Sequence, residues 1–377
     1  MKGPFRADHV GSLLRPEVLL EKRESWKMDT VSDAELRALE DKCIAEIIKK
    51  EEEIGIKSVT DGEYRRESFH FDFINEIGGI NTNFTVKGAF AQGEKTKGGG
   101  EKAVPLTVEI VDRMELPEGG IGVENFKYVA SKASSQSIPK ITMPSPTMTH
   151  FRGGRDAISR SAYPEMEQFF SDLSKLYRKE IALLADAGCK YIQFDDTNLA
   201  YLCDSKMRQD ARERGEDPDE LPRTYAALIN ECIKERPDDM AACIHLCRGN
   251  AHSLWFAEGD YEPIADHLFN LTEVDGFFLE YDDERSGGFE PLRYVPKGQK
   301  KIVLGLLTTK RGEMETRDEI IQRVEEASQY VDLNQLCLSP QCGFSSNAIG
   351  NLISEEEQFD KLSIIVDLAR EIWGSSD

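Results

Sequence analysis

Eight short runs of β-branched and apolar residues recur along the chain, and amphipathic stretches with helical spacing separate most of them. The runs are Phe5–Val10, Lys57–Thr60, Lys140–Met143, Tyr191–Phe194, Ala242–Leu246, Gly276–Leu279, Lys301–Leu307 and Gln335–Leu338. Between or after them, helical periodicity covers Ser32–Glu53, Pro164–Ala187, Arg223–Lys234, Tyr261–Leu271, Arg317–Tyr330 and Ser354–Trp373. Ser32 followed by Glu35 reads as a capping box opening the first of these. Strands that alternate with helices must pair in parallel, and eight such units predict a (β/α)8 TIM barrel over residues 1–377 rather than an open doubly wound sheet. One stretch breaks the rhythm. Residues 78–135, rich in Gly, Thr and Lys and containing Gly98-Gly99-Gly100, read as an inserted β-hairpin excursion with a mobile tip between the second and third strands.

Charge narrows the partners. With 47 basic against 69 acidic residues the formal net charge is −22, so nucleic acid or an anionic membrane surface would have to bind against the overall field. No apolar run is long enough to span a bilayer, and Met1–Arg6 lacks the apolar segment of a signal peptide, which predicts a cytoplasmic protein. Eight cysteines in 377 residues, with no secreted-domain spacing, do not describe a disulfide framework. Small-molecule partners remain. Oligomeric state is left open, since nothing in the chain isolates an interface patch.

In a TIM barrel the chemistry sits where strands end. The fifth, sixth and eighth strand ends offer His245, Cys247, Glu280 and Cys342, a set of borderline and soft ligands suited to zinc. His245 and Cys247, two apart on an extended segment, point the same way. The 33 residues from Cys247 to Glu280 and the 62 from Glu280 to Cys342 match one and two barrel repeats. Taken singly, each has an ordinary reading: His-x-Cys as structural, Glu280 as a salt-bridged carboxylate, Cys342 as a buried thiol. Their joint placement favours one Zn2+ per chain. Two thiolates and a carboxylate outweigh the charge of the ion, so such a site makes a poor hydroxide generator. It suits instead the capture of an incoming thiol as a thiolate, and hence S-alkylation. Glu63 and Asp195, at the second and fourth strand ends, suit an ammonium group, and the backbone around Gly11 and Ser12 a carboxylate. Together they describe an amino-acid pocket. Glu63 could equally pair with Arg65 or Arg66, and Asp195 could cap the following helix. His9 lies at the first strand end, where it could reach the site or serve as a hydrogen-bonded structural group.

These motifs stand in an order that resembles the catalytic, C-terminal half of cobalamin-independent methionine synthase. The resemblance extends to short single-barrel proteins of that superfamily, which open as this chain does with Arg6-Ala7-Asp8-His9-Val10-Gly11-Ser12-Leu13-Leu14-Arg15-Pro16. Asp61-Gly62-Glu63, Gln193-Phe194-Asp195, His245-x-Cys247, Glu280 and Gln341-Cys342-Gly343 follow in family order. The resemblance implies a (β/α)8 barrel, zinc on His245, Cys247, Glu280 and Cys342, and homocysteine held by Val10, Gly11, Ser12, Glu63 and Asp195. The full-length synthase also carries an N-terminal domain that helps bind a folylpolyglutamate donor, for which 377 residues leave no room. The family's pterin-stacking tryptophan has Phe151 as its nearest aromatic counterpart, and its Asp-x-His pair after the seventh strand is matched here by Thr308-Thr309-Lys310. The expectation is therefore a zinc-dependent thiol alkyltransferase that forms methionine from homocysteine, with Lys310 contacting the methyl donor or protonating its leaving group and the donor itself open. Two other readings are kept: alkyl transfer to another thiol, as in epoxide-to-coenzyme M transferases, and a metal-free barrel like uroporphyrinogen decarboxylase.

Overall fold

The computed structural model describes residues 2–84 and 107–377. Its strands, in chain order, are β1 (Ser58–Val59), β2 (Gly78–Phe84), β3 (Thr107–Glu115), β4 (Ile138–Pro139), β5 (Ile141–Pro144), β6 (Tyr191–Asp196), β7 (Ala241–Leu246), β8 (Gly276–Glu280), β9 (Lys301–Leu307) and β10 (Leu336–Pro340). Strands β5 to β10 form one parallel six-stranded sheet in consecutive order. Helices Met166–Asp186, Leu221–Ile233, Ala265–Leu271 and Arg317–Ala327 make four of its five crossovers, and only short 3-10 turns link β8 to β9. The strands are largely apolar and buried almost throughout, as parallel strands covered by helices are.

Both edges of this sheet are extended. β4 runs on into β5 and pairs in parallel with β1, Ser58 opposite Ile138 and Val59 opposite Pro139. At the other edge Ala7 bridges Leu338, with Asp8 N–H donating to Leu338 O at 3.0 Å and Leu338 N–H to Arg6 O at 2.8 Å. The eight expected strands thus follow one another in the order of a TIM-barrel-type α/β fold. The first is the one that departs from expectation: Phe5–Val10 forms this single bridge rather than a ladder. Its own Asp8 carboxylate accepts the backbone N–H groups of Phe5 (3.1 Å) and His9 (2.8 Å), which turns the segment out of regular pairing. No ladder joins it to β1 among the described residues. Hydrogen bonds cross the seam instead, from Ser58 Oγ to Asp8 (2.7 Å), from Thr60 Oγ1 to Gly11 O (2.8 Å) and from Leu13 N–H to Gly62 O (3.0 Å).

The long helix runs Asp33–Ile54 and begins with the capping box read from Ser32 and Glu35. β2 and β3 pair antiparallel as a hairpin. Its tip, including Gly98-Gly99-Gly100, lies outside the described residues. The expected excursion over 78–135 is corrected at its far end, where Val123–Lys132 is a helix. Val123, Phe126 and Val129 recur at three-residue spacing and bury one face of it. Helices Glu17–Lys27 and Ser205–Glu213 and the one-turn helices Phe71–Ile74 and Asn198–Tyr201 lie outside the predicted elements, while Tyr261–Leu271 is helical only from Ala265. No helix among the described residues is long and apolar enough to cross a membrane.

Two charged groups inside this core pair with one another. Lys140 and Asp8, both fully buried, meet at 3.2 Å, and the Lys140 ammonium also lies over the rings of Tyr191 and Phe278. His9 Nε2 is 2.9 Å from Ser58 O and 3.2 Å from Glu51. Burial, with the Lys140 charge beside it, pushes the His9 pKa down to about 4, and burial with Arg214 does the same for His150. The unfolded chain therefore takes up protons near pH 6.5 that the folded one refuses, so this contribution to stability is present above 6.5 and drains away as pH falls toward 4. His150 packs against Tyr225 OH at 2.9 Å, far in sequence from the strand-end cluster. Urea unfolding of wild type and His150→Gln at pH 7 and pH 5 isolates the effect: the wild type is expected to lose about 2 kcal/mol more than the variant over that interval. Equal losses would show that His150 is not held neutral.

Candidate metal centre and amino-acid pocket

His245 lies in β7, Cys247 just beyond it, Glu280 ends β8, and Cys342 follows β10 by two residues. All four are buried, and one ligand atom from each falls within 4.8 Å of the others. The two Sγ atoms are 3.4 Å apart. The hydrogen bond from the Cys247 thiol is the main reason the Cys342 thiol is held well below its usual pKa, while the same bond, together with burial, pushes Cys247 up. Burial works against a charge on His245 but is outweighed by the facing Cys342 sulfur, so its pKa rises. Glu280, where burial is likewise overcome, here by Arg285, is held below the usual carboxylate range.

The donor set fits zinc. A tetrahedral site with Zn–S bonds of about 2.3 Å separates two thiolates by about 3.8 Å, close to the spacing found. The His245 side chain is 1% exposed, and its ring has no well-formed partner outside the cluster, where it faces the Cys342 sulfur; a buried imidazole so placed suits a metal ligand. A Cβ on Gly343, beside Cys342, would lie 1.9 Å from Ser12 Oγ, so a larger residue there would force that hydroxyl to turn away.

The amino-acid-type residues gather next to this cluster. Asp195 on β6 is in register with His245 on β7, so the two side chains rise from neighbouring strands. Gln193, two residues before Asp195 on the same face, donates through Nε2 to Asp195 at 2.7 Å and to Val10 O at 2.6 Å. Glu63 accepts from Thr142 Oγ1 at 2.7 Å and meets Arg66 at 3.4 Å, while its Oε2 is buried with no partner among the described residues. Burial and then the Glu63 charge raise the Asp195 pKa to about 7. Burial likewise raises Glu63, against Arg66 and Thr142. Two buried carboxyl groups, one raising the pKa of the other, are a place for a cation. Gly11 has φ +135°, and a Cβ on it would come within 2.6 Å of Thr142 Cγ2, which keeps that backbone open to close approach.

The alternatives for Glu63 and Asp195 divide. Arg66 does pair with Glu63, through one carboxylate oxygen, whereas Arg65 turns to Glu40 and Asp41. In the first turn after β6 it is Asp196, not Asp195, that accepts the Leu199 N–H, at 2.7 Å. Lys310 is buried on the metal side, with Nζ 3.4 Å from Gly249 O and from Asn250 Oδ1. His9 sits in the Ser58 and Glu51 network described above. Sequence reading missed Gln193, Thr142 and Arg285 as supporting groups. Period-two spacing from Asp195 would have found the first, and Arg285 hides in the charged run Asp282-Asp283-Glu284-Arg285.

Ligand-type side chains and a carboxylate pair at the carboxyl ends of parallel strands place the molecule among TIM-barrel-type α/β proteins whose chemistry sits at that face. Comparison with known proteins makes the class specific. The family "Cobalamin-independent synthase, Catalytic domain" matches residues 6–371, and the chain belongs to it. It is 43% identical over 373 residues to the uncharacterized protein YxjG of Bacillus subtilis (99% of this chain, 96% of that one). It is 23% identical over 336 residues to a methionine synthase of Pyrococcus horikoshii (89% and 84%). Among solved structures, a Listeria monocytogenes protein inferred to be a vitamin-B12 independent methionine synthase superposes with a TM-score of 0.79 at 39% identity, each chain covered fully.

Proposed function

We propose that this protein is a zinc-dependent thiol methyltransferase that converts homocysteine to methionine, with His245, Cys247, Glu280 and Cys342 as the zinc ligands. The observation that carries the reading is the buried Asp195 directly opposite His245 on the neighbouring strand, with the Glu63 charge acting on it. An amino acid whose ammonium sits between Glu63 and Asp195 and whose carboxylate meets the backbone at Val10, Gly11 and Ser12 would present its side-chain thiol toward the cluster.

Zinc in such a ligand set lowers the pKa of an incoming thiol and keeps it a thiolate nucleophile at neutral pH. The protein's own groups do the rest. Gln193 ties the Val10 carbonyl to Asp195 and so fixes the distance between the two ends of the amino-acid pocket. Glu63 and Asp195, which burial disposes toward neutrality, are stabilised as anions once an ammonium arrives, so an amine-free thiol gains much less from the site. In the transfer the sulfur–carbon bond forms as the bond from carbon to the donor breaks. The thiol proton leaves on binding, and an anionic leaving group takes up a proton, for which Lys310, whose charge reaches Cys247 and Glu280, is the proposed donor. The test is product formation by the zinc-loaded protein from homocysteine with methyltetrahydrofolate carrying one or several glutamates, methylcobalamin, S-methylmethionine or a methylated corrinoid protein. Methionine is expected with at least one of these donors. Failure with all of them, alongside alkylation of a thiol lacking the amino-acid group, would replace homocysteine by that thiol.

A further inference from the structure

Glu280 is fully buried, and a carboxylate in that position persists as an anion only if its oxygens are engaged. Each of them has one donor from outside the cluster. Oε1 accepts the backbone N–H of Arg248 at 3.1 Å, and Oε2 accepts Arg285 through its NH2 nitrogen at 2.9 Å. The same nitrogen gives its second hydrogen to Asp282 at 2.7 Å, and NH1 of the guanidinium pairs with Asp283. The Arg285 side chain is 3% exposed, and its guanidinium lies 5.1 Å from the centre of the Trp255 ring, which covers it from the loop that follows Cys247. A planar fork held at three carboxylates and under an aromatic face has little freedom to rotate.

Resting on the zinc reading above, we infer that Arg285 is a positioning residue of the metal centre: with the Arg248 N–H it fixes the Glu280 carboxylate so that the remaining lone pair of each oxygen faces the sulfurs. The geometry requires arginine. One nitrogen must serve Glu280 and Asp282 while another serves Asp283, and a lysine ammonium, a compact point charge on a flexible stem, reproduces the charge but not the fork. The inference also explains why two acidic residues of the loop after β8 turn onto a single buried arginine. Asp282 engages the guanidinium at NH2 and Asp283 at NH1, and the short turn Glu284–Ser286, capped by Asp283, presents it.

The experiment is zinc titration of the metal-free full chain against a chromophoric chelator, with folding followed by circular dichroism and metal-free thermal melting. Outer-sphere partners of metal ligands typically carry 10- to 100-fold in affinity. Arg285→Gln is expected to weaken zinc binding by that factor, and Arg285→Lys by several-fold less, while Arg293→Gln, which removes an exposed arginine paired with Glu262, leaves affinity unchanged. If Arg285→Gln does not fold, Arg285→Lys decides: a measurable drop in affinity supports the inference, and wild-type affinity overturns it. A folded Arg285→Gln that melts earlier yet binds zinc as tightly as wild type also overturns it, since that is the signature of a purely structural ion pair. Wild-type protein that binds no zinc overturns the metal reading itself, and is thereby told apart from a failure of the arginine's role.

Discussion

Replacing Cys342 by serine should abolish tight zinc binding and methionine formation together. The substitution exchanges the sulfur held lowest in pKa for a hydroxyl that stays protonated near neutral pH, and so replaces the anionic acceptor that Cys247 meets at 3.4 Å by a neutral one. One ligand fewer in a four-ligand site is expected to cost at least about a hundredfold in metal affinity, and activity should fall by about a thousandfold or more because the nucleophile is no longer held as a thiolate. His245→Ala should behave alike, since it empties the position of a buried ring whose nitrogens have no other well-formed partner among the described residues. Metal content after dialysis and product assay in the same preparation read both effects. Cys43→Ala is the matched control, a buried cysteine on the long helix that belongs to the core and should leave zinc and activity in place. A Cys342→Ser protein that keeps one zinc per chain at wild-type affinity would remove this residue from the ligand set.

The second large effect falls on the amino-acid pocket and should leave the metal untouched. Asp195→Asn preserves size and can still accept the Gln193 hydrogen bond, but it removes the negative charge assigned to the substrate ammonium. Truncating one partner of a buried, hydrogen-bonded charge pair costs about 3–5 kcal/mol, which corresponds to a factor of 10² to 10³ or somewhat more in kcat/KM for homocysteine. Zinc content should be that of wild type. A thiol without the amino group should lose far less, because it never used the charge. Glu63→Gln is expected to act in the same direction but more weakly, since Arg66 and Thr142 already engage one of its oxygens. Equal losses for both thiols would mean that Asp195 supports the metal ligands rather than the ammonium.

The order of β and α elements was readable because strands buried on both faces leave uninterrupted apolar runs and helices leave a different period. The cluster was readable for a related reason. Strand ends face one side in such a fold, so residues as distant as His245 and Cys342 can be placed together by counting repeats. What escaped reading follows from tertiary context. Phe5–Val10 has the composition of a strand, yet Asp8 diverts its backbone donors. The Val123–Lys132 helix is short, lies in a Gly-rich neighbourhood, and is held by three apolar residues against the body of the protein. Arg285 looks like solvated charge in a run of acids, and only the fold turns it inward onto Glu280. His9 shows the same effect in reverse: it stands in the opening motif at a strand end, and its ring goes to Ser58 O and Glu51.

Zinc K-edge absorption on the loaded protein, before and after saturating homocysteine, tests the central claim most directly. A zinc held by His245, Cys247, Glu280 and Cys342 should show two sulfur neighbours in the free protein and three once the amino-acid thiol is bound, with Asp195→Asn shifting that change to much higher homocysteine concentrations. A sulfur count that stays at two while homocysteine saturates its site, or folded protein that takes up no zinc, would contradict the account.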